Sequence, residues 1–162
     1  MTAVAEPVLL ATKLHAPVRR GLVSRPRLLT RLRPIEHGLT LIDAPAGWGK
    51  TSLLADWYAH GSSGLAVAWL ALDAGDDDPA LFWSHVVAAL RTAAPGVGER
   101  TLAALGAGGR AVREAALPAL VNDLLALPGP LVLVLDDYHT ITDSQIHTGL
   151  ALLLDHLSLI HI

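Results

Sequence analysis

The sequence predicts an α/β fold in which helices cover both faces of a mostly parallel sheet. Short apolar runs at residues 66–73 and 131–135 alternate with longer stretches of helical periodicity. These runs are almost continuously apolar, as expected for strands that are covered on both faces. The chain has 162 residues, which is enough for one such domain with a hydrophobic core.

Composition excludes several classes of protein. Hydrophobic residues make up 52% of the chain and charged residues 17%, which excludes a disordered chain. A net charge of −3 argues against nucleic-acid binding through the overall field, and the absence of cysteine excludes disulfides and thiol catalysis. There is no signal-peptide pattern and no apolar run of about 18 residues, the length of a membrane span. We therefore expect a soluble, cytoplasmic protein that does not contact membranes.

A basic segment precedes the first predicted strand. We interpret residues 1–12 as a loose tail and residues 13–162 as one domain, and more than half of the twelve Lys and Arg residues lie in residues 13–33. Three interpretations stay open: a solvated face, a segment that flanks a bound nucleotide, or a DNA-binding arm. Ser24 is predicted to cap a short helix that has Pro26 in its first turn. This helix, which Pro34 would end, places Arg25 where it could approach a nucleotide.

The strongest chemical signal follows a predicted strand at residues 39–42. A loop of small residues leads into a predicted helix over residues 50–60, and the order strand, glycine-rich loop, helix is typical of a phosphate-binding P-loop. Loop N–H groups and the helix N-terminus would surround phosphate oxygens, the lysine would reach the β- and γ-phosphates, and the threonine hydroxyl would bind Mg²⁺. The pattern G-x-x-x-x-G-K-[ST] is met except that alanine takes its first position. The predicted nucleotide-binding residues are Ala44, Pro45, Ala46, Gly47, Trp48, Gly49, Lys50, Thr51 and Ser52.

An acidic cluster follows the strand at residues 66–73. Its members are Asp73, Asp76, Asp77 and Asp78, and their spacing differs from that of a calcium-binding loop. Helix capping is the favoured interpretation, with Asp78 as N-cap and Pro79 in the first helical position. Further helices are predicted through Leu90, over residues 99–105 and over residues 112–127.

Two carboxylates follow the apolar strand at residues 131–135. This is the Walker B pattern, and the carboxyl end of a parallel strand places such acids beside the P-loop. Asp136 is predicted to hold Mg²⁺, and Asp137 to orient or deprotonate the attacking water. A final helix is predicted over residues 144–156, and residues 157–162 could begin another strand.

These motifs together resemble one family. The residues that carry the resemblance are Thr12-Lys-Leu, Pro17, Val23 and Arg25, then the loop from Ala44 to Ser52, then Ala68-Trp-Leu-Ala-Leu-Asp73, Asp76 to Pro79, Phe82-Trp83, and Leu135-Asp-Asp-Tyr-His139. The chain resembles the N-terminal nucleotide-binding domain of MalT-like regulators, which are LuxR-family transcriptional activators of the STAND ATPase class.

The resemblance implies a three-layer P-loop NTPase fold and an ATP/ADP switch that uses Mg²⁺. Lys50 and Thr51 correspond to the Walker A residues, and Lys50 and Asp137 are the implied catalytic residues. Residues 23–25 correspond to a segment that contacts the adenine side. In such proteins nucleotide and inducer favour self-association, and a C-terminal helix-turn-helix domain binds DNA.

The resemblance also places a strand after Asp137 that ends in a polar or basic residue near the γ-phosphate. The chain stops before that residue, so we predict a truncated domain and a fragment of a longer regulator, with binding and slow hydrolysis of ATP. The alternatives are a P-loop kinase or other ATPase with fast turnover, for which Arg110 and Arg113 are candidate lid residues, and a module that binds nucleotide without hydrolysis.

Overall fold

The fold is built on two parallel strands joined by a helical crossover. The computed structural model describes residues 9–18, 21, 24–32, 38–106 and 112–157. Strand β1 (Ala66–Ala71) pairs in parallel with β2 (Leu131–Asp136), and Ala66 lies opposite Leu131. The predicted α/β class and the predicted parallel pairing are confirmed for these strands.

Six α-helices lie in the described part of the chain. They are α1 (Pro26–Leu29), α2 (Lys50–His60), α3 (Pro79–Ala93), α4 (Glu99–Leu105), α5 (Leu117–Leu125) and α6 (Ser144–Leu157). Turns of 3₁₀ helix occupy Ala11–Leu14, Ala74–Asp76 and Tyr138–Thr140, and a π-helical turn at Val112–Ala116 leads into α5. The predicted helices over residues 50–60 and 99–105 are confirmed at both ends. None of the helices described is long and apolar enough to cross a membrane.

The caps of α3 and α1 show which local predictions hold. Asp78 is the N-cap of α3, where its Oδ1 accepts a hydrogen bond from the Leu81 N–H at 2.9 Å, and Pro79 follows it, as predicted. The cap predicted for α1 is wrong, because Arg25 and not Ser24 precedes the first helical residue. Proline favours the first helical position, so the residue directly before Pro26 takes the cap position. Pro34 lies outside the described residues.

Both faces of the two strands bear buried apolar side chains. On one face, Ala68 and Leu70 of β1 pack with Phe82 and Trp83 of α3 in the main core, which α5 and α6 complete. On the other face, Trp69 of β1 and Val132 and Val134 of β2 form a smaller cluster with Trp57 of α2. This alternation follows from the two-residue period of a strand and explains the nearly continuous apolar sequence of β1.

The predicted strand at residues 39–42 is wrong. These residues have no regular secondary structure, and the side chains of Leu39 and Leu41 are 59% and 81% exposed. A strand needs a hydrogen-bonded neighbour, and β2 is paired only with β1 among the described residues. A cavity of about 1110 Å³ separates residues 39–43 from β2 and is lined by both. The apolar sequence therefore lacks the partner that would make it a strand. The possible strand after α6, at residues 158–162, lies outside the described residues.

Candidate functional site

The glycine loop, Ala44–Gly49, leads directly into the N-terminus of α2. Gly47 and Gly49 have φ values of 83° and 80°, in the left-handed region that glycine adopts without strain. Gly49 is the N-cap of α2, and its carbonyl accepts a hydrogen bond from the Leu53 N–H at 2.9 Å. The first N–H groups of α2 have no acceptor within the helix, so the end of this loop offers hydrogen-bond donors to an anion.

Lys50, the first residue of α2, folds back over the loop. Its Nζ donates to the Ala44 carbonyl at 2.5 Å and lies 3.3 Å from the Pro45 carbonyl. The ammonium group is thus held against the first two residues of the loop.

Thr51 and Asp136 join the loop to the strand. The Thr51 Oγ1 donates to Asp136 Oδ1 at 3.0 Å, although the two residues are 85 positions apart in the sequence. Asp136 is the last residue of β2 and is 6% exposed. The contact brings together the two residues that the sequence assigned to the metal.

Asp137 takes an unusual backbone conformation at the end of β2. Its φ is 58°, and it is the one residue other than glycine in the described part of the chain with a positive φ. Its N–H donates to Asp136 Oδ1 at 3.1 Å, and its carbonyl accepts hydrogen bonds from the N–H and hydroxyl of Thr140. Asp and Asn tolerate this conformation better than other side chains, and such outliers cluster at functional sites.

Arg25 reaches the glycine loop from α1. Its Nη1 donates to the Trp48 carbonyl at 3.0 Å, and its guanidinium lies beside Gly49. Arg25 therefore contacts the backbone of the loop, and the Trp48 side chain points outward with 66% of its surface exposed. Contact of residues 23–25 with adenine stays a prediction, and Val23 lies outside the described residues.

Most of the predicted site residues line the cavity beside β2. Its lining includes Ala44, Ala46, Gly47, Gly49, Lys50, Thr51, Ser52, Asp136 and Asp137. Pro45, Trp48 and Arg25 do not line it. Arg110 and the side chain of Arg113, named for a kinase lid, lie outside the described residues.

Asp73 and Asp77, two members of the predicted helix-capping cluster, were not predicted as site residues. Asp73 follows the end of β1 and lines the cavity. Asp77 binds the segment after Asp137, because its carboxylate accepts hydrogen bonds from the N–H groups of Thr142 and Asp143 and from the Thr142 hydroxyl. The Thr142 hydroxyl foremost, and then these N–H groups, hold the pKa of Asp77 below its usual value. No signal in the sequence joins positions 77 and 142.

Relatives of the chain are known. It is 38% identical over 151 residues to the HTH-type transcriptional regulator MalT of Yersinia enterocolitica, and this match covers 92% of the chain. MalT of Yersinia pestis and MalT of Yersinia pseudotuberculosis are each 37% identical to it over 151 residues. The chain is a relative of the MalT regulators.

The resemblance inferred from the motifs is thereby confirmed. The chain spans 16% of the length of these MalT relatives. No protein-family model matches the chain.

Proposed function

We propose that this chain binds ATP and ADP with Mg²⁺ and works as the nucleotide-operated switch of a transcriptional regulator. The observation that carries the proposal is the hydrogen bond between Thr51 and Asp136, which lies at the mouth of a glycine loop that ends in Lys50. A glycine loop before a helix N-terminus, a lysine, and a hydroxyl paired with a strand-end carboxylate form a combination typical of sites that bind phosphoryl groups and Mg²⁺.

The phosphates would bind the glycine loop and the first turn of α2. Backbone N–H groups there would donate to phosphate oxygens, and the positive end of the helix would favour their charge. Lys50 would exchange its hydrogen bond to the Ala44 carbonyl for phosphate oxygens. Trp48, exposed on the outer side of the loop, leaves the inner side clear.

Thr51 in the first turn of α2 and Asp136 at the end of β2 fit a magnesium ion. Thr51 and Asp136 supply a hydroxyl and a carboxylate oxygen that are 3.0 Å apart, and Mg²⁺ prefers oxygen ligands and few protein groups beside phosphates. Bound there, the ion would neutralise charge on the β- and γ-phosphates. Asp136 is buried, so its carboxylate would be the protein group that holds the metal in place.

Asp137 would act on the attacking water. Asp137 follows the last residue of β2 and has a left-handed backbone conformation, and its Oδ1 lies 3.8 Å from the His139 Nδ1. A carboxylate within hydrogen-bond reach of water would orient it and accept its proton. Slow hydrolysis follows if no further positive group stabilises the transition state.

The complete domain would be a three-layer P-loop sandwich. The cavity between residues 39–43 and β2 is bordered by strand-forming sequence on one side and, on the other, by an edge of β2 that pairs with none of the described residues. We infer that a further strand fills this space in the longer protein. The name of the MalT relatives, HTH-type transcriptional regulator, supports DNA binding by a separate helix-turn-helix domain of that protein. Self-association and a cytoplasmic location are further parts of the proposal.

The experiment is isothermal titration calorimetry of the chain with ATP and ADP, with and without Mg²⁺. We expect binding that Lys50→Ala weakens by about tenfold or more, because the variant loses a charged hydrogen-bond donor to phosphate. Asp136→Asn should retain binding without metal and lose the gain from Mg²⁺. Arg100→Ala is the matched control, since it removes an exposed positive charge that does not line the cavity. Equal affinities for the wild type and Lys50→Ala would contradict the proposal, and rapid turnover with a small acceptor would favour the kinase alternative.

A further inference from the structure

A buried ion-pair network fixes the N-terminal turn Ala11–Leu14 to the end of β1. The Lys13 Nζ lies 2.8 Å from Asp73 Oδ2 and 2.8 Å from Asp76 Oδ2. Asp76 also accepts a hydrogen bond from the Asp73 N–H and lies 2.7 Å from the His85 Nδ1. The side chains of Lys13 and Asp76 are 16% and 1% exposed, so both charges are largely removed from water. Removal of one partner from such a buried pair leaves an uncompensated charge.

The network borders the cavity of the candidate site. Leu72 donates its N–H to the Asp136 carbonyl, so Asp73 follows β1 beside the end of β2. Asp73 lines the same cavity as Lys50 and Thr51. The side chain of Asp73 is 61% exposed, whereas that of Asp76 is 1% exposed. A negative charge at this position repels the phosphates that the site is proposed to bind.

Lys13 offsets this charge. Its hydrogen bond to Asp73 is the main cause that holds the pKa of Asp73 below its usual value, followed by the Gly75 N–H. Burial lowers the pKa of Lys13, but hydrogen bonds and charges from Asp73 and Asp76 outweigh it, and the pKa is raised. Both groups therefore stay charged near neutral pH, and the lysine cancels one of the two carboxylates.

We propose that Lys13 is a positioning residue of the phosphate site, which offsets the negative charge of Asp73 and couples the docking of Ala11–Leu14 to the binding of nucleotide phosphates. The inference rests on the proposed function, because it concerns the same cavity. Coupling between two events is reciprocal, so bound nucleotide strengthens the docking of this turn by the same factor.

The test is ADP binding to the full chain in EDTA, so that no metal takes part, with Lys13→Met, Lys13→Arg and Asp73→Asn beside the wild type. Lys13→Met removes a positive charge and should weaken binding by about three- to tenfold, whereas Asp73→Asn removes a negative charge and should tighten it by a similar factor. Lys13→Arg keeps the charge and should retain most of the affinity. The double variant Lys13→Met/Asp73→Asn should return towards the wild-type value. These differences should shrink at about 1 M NaCl, where charges are screened.

Opposite signs for the two single variants separate a charge effect from a structural one, since damage to the fold weakens binding in both. Circular dichroism reports whether Lys13→Met folds. If Lys13→Met does not fold, Asp73→Asn still tests the inference, because the Asp73 side chain is 61% exposed. Unchanged or weaker binding by Asp73→Asn overturns the inference while the wild type still binds. Absence of binding by the wild type removes the proposed function, and the inference with it.

Discussion

Replacement of Gly149 with alanine tests how closely α6 packs on the main core. Gly149 is buried where the helix crosses the Trp83 indole, and a Cβ there would lie 2.8 Å from Trp83 Cζ2 and 3.1 Å from Leu117 Cδ1. Trp83 and Leu117 are 0% and 1% exposed, so neither can move aside into solvent. The substitution therefore has two opposing effects, since alanine favours the helix and its extra methyl group overpacks the core.

The two effects have opposite signs and different sizes. Glycine to alanine inside a helix gains about 1 kcal/mol, whereas extra atoms in a well-packed core cost about 1–3 kcal/mol. A 2.8 Å contact with a ring that cannot move belongs to the upper part of that range. We expect Gly149→Ala to lower the free energy of unfolding by about 1–2 kcal/mol and Tm by about 3–6 °C.

The assay is thermal and urea unfolding followed by circular dichroism. Thr148→Ala is the matched control, because Thr148 is the exposed neighbour in α6 and its replacement changes helix propensity without entering the core. That control should shift Tm by little. In a Trp83→Phe background, which removes the two indole carbons nearest the new Cβ, the cost of Gly149→Ala should fall. A higher Tm for Gly149→Ala than for the wild type would refute the described packing of α6 on Trp83.

Three further predictions concern the site. Asp137→Asn should keep the left-handed backbone and the Tm of the wild type, while the rate of phosphate release from ATP falls by about 100-fold. Asp137→Ala should also lose about 1 kcal/mol of stability, because alanine tolerates the left-handed conformation less well. Hydrolysis at the wild-type rate by the asparagine variant would exclude Asp137 from the chemistry. Asp77 has a pKa below the usual 3.8, so its contribution to stability is complete above that pH and is lost as the pH falls through the lower value in the folded chain. The difference in Tm between the wild type and Asp77→Asn should therefore shrink on acidification below about pH 4, and a constant difference down to about pH 2 would contradict the assigned contacts. Trp48 is 66% exposed on the glycine loop, so ADP bound at this loop should change the emission of the wild type more than that of Trp48→Phe, in which Trp57 is the remaining tryptophan that lines the cavity; a change of the same size in the variant would place the signal elsewhere.

Local signals explain why much of the fold follows from the sequence. A helix begins where glycine or a capping side chain ends the preceding segment, and both the start of α2 after Gly49 and the Asp78–Pro79 start of α3 involve neighbouring residues. The glycine loop and its lysine were predictable for the same reason. The juxtaposition of Thr51 and Asp136 was expected because the ends of parallel strands and the loops that follow them meet at one edge of a sheet. The contact is present although residues 39–42, which lead into the glycine loop, form no strand.

Tertiary structure decided what depends on a distant partner. Residues 39–42 have the composition of a strand, but a strand exists only where another backbone supplies hydrogen bonds, and the adjacent edge of β2 lies across a cavity. Lys13 belongs to a basic segment that suggested a solvated face, yet it is buried between carboxylates about sixty positions away in the sequence. Asp77 and Thr142 likewise meet only through the fold. Composition and spacing describe a residue and its neighbours along the chain, whereas burial and charge pairing depend on which surfaces the folded chain brings together.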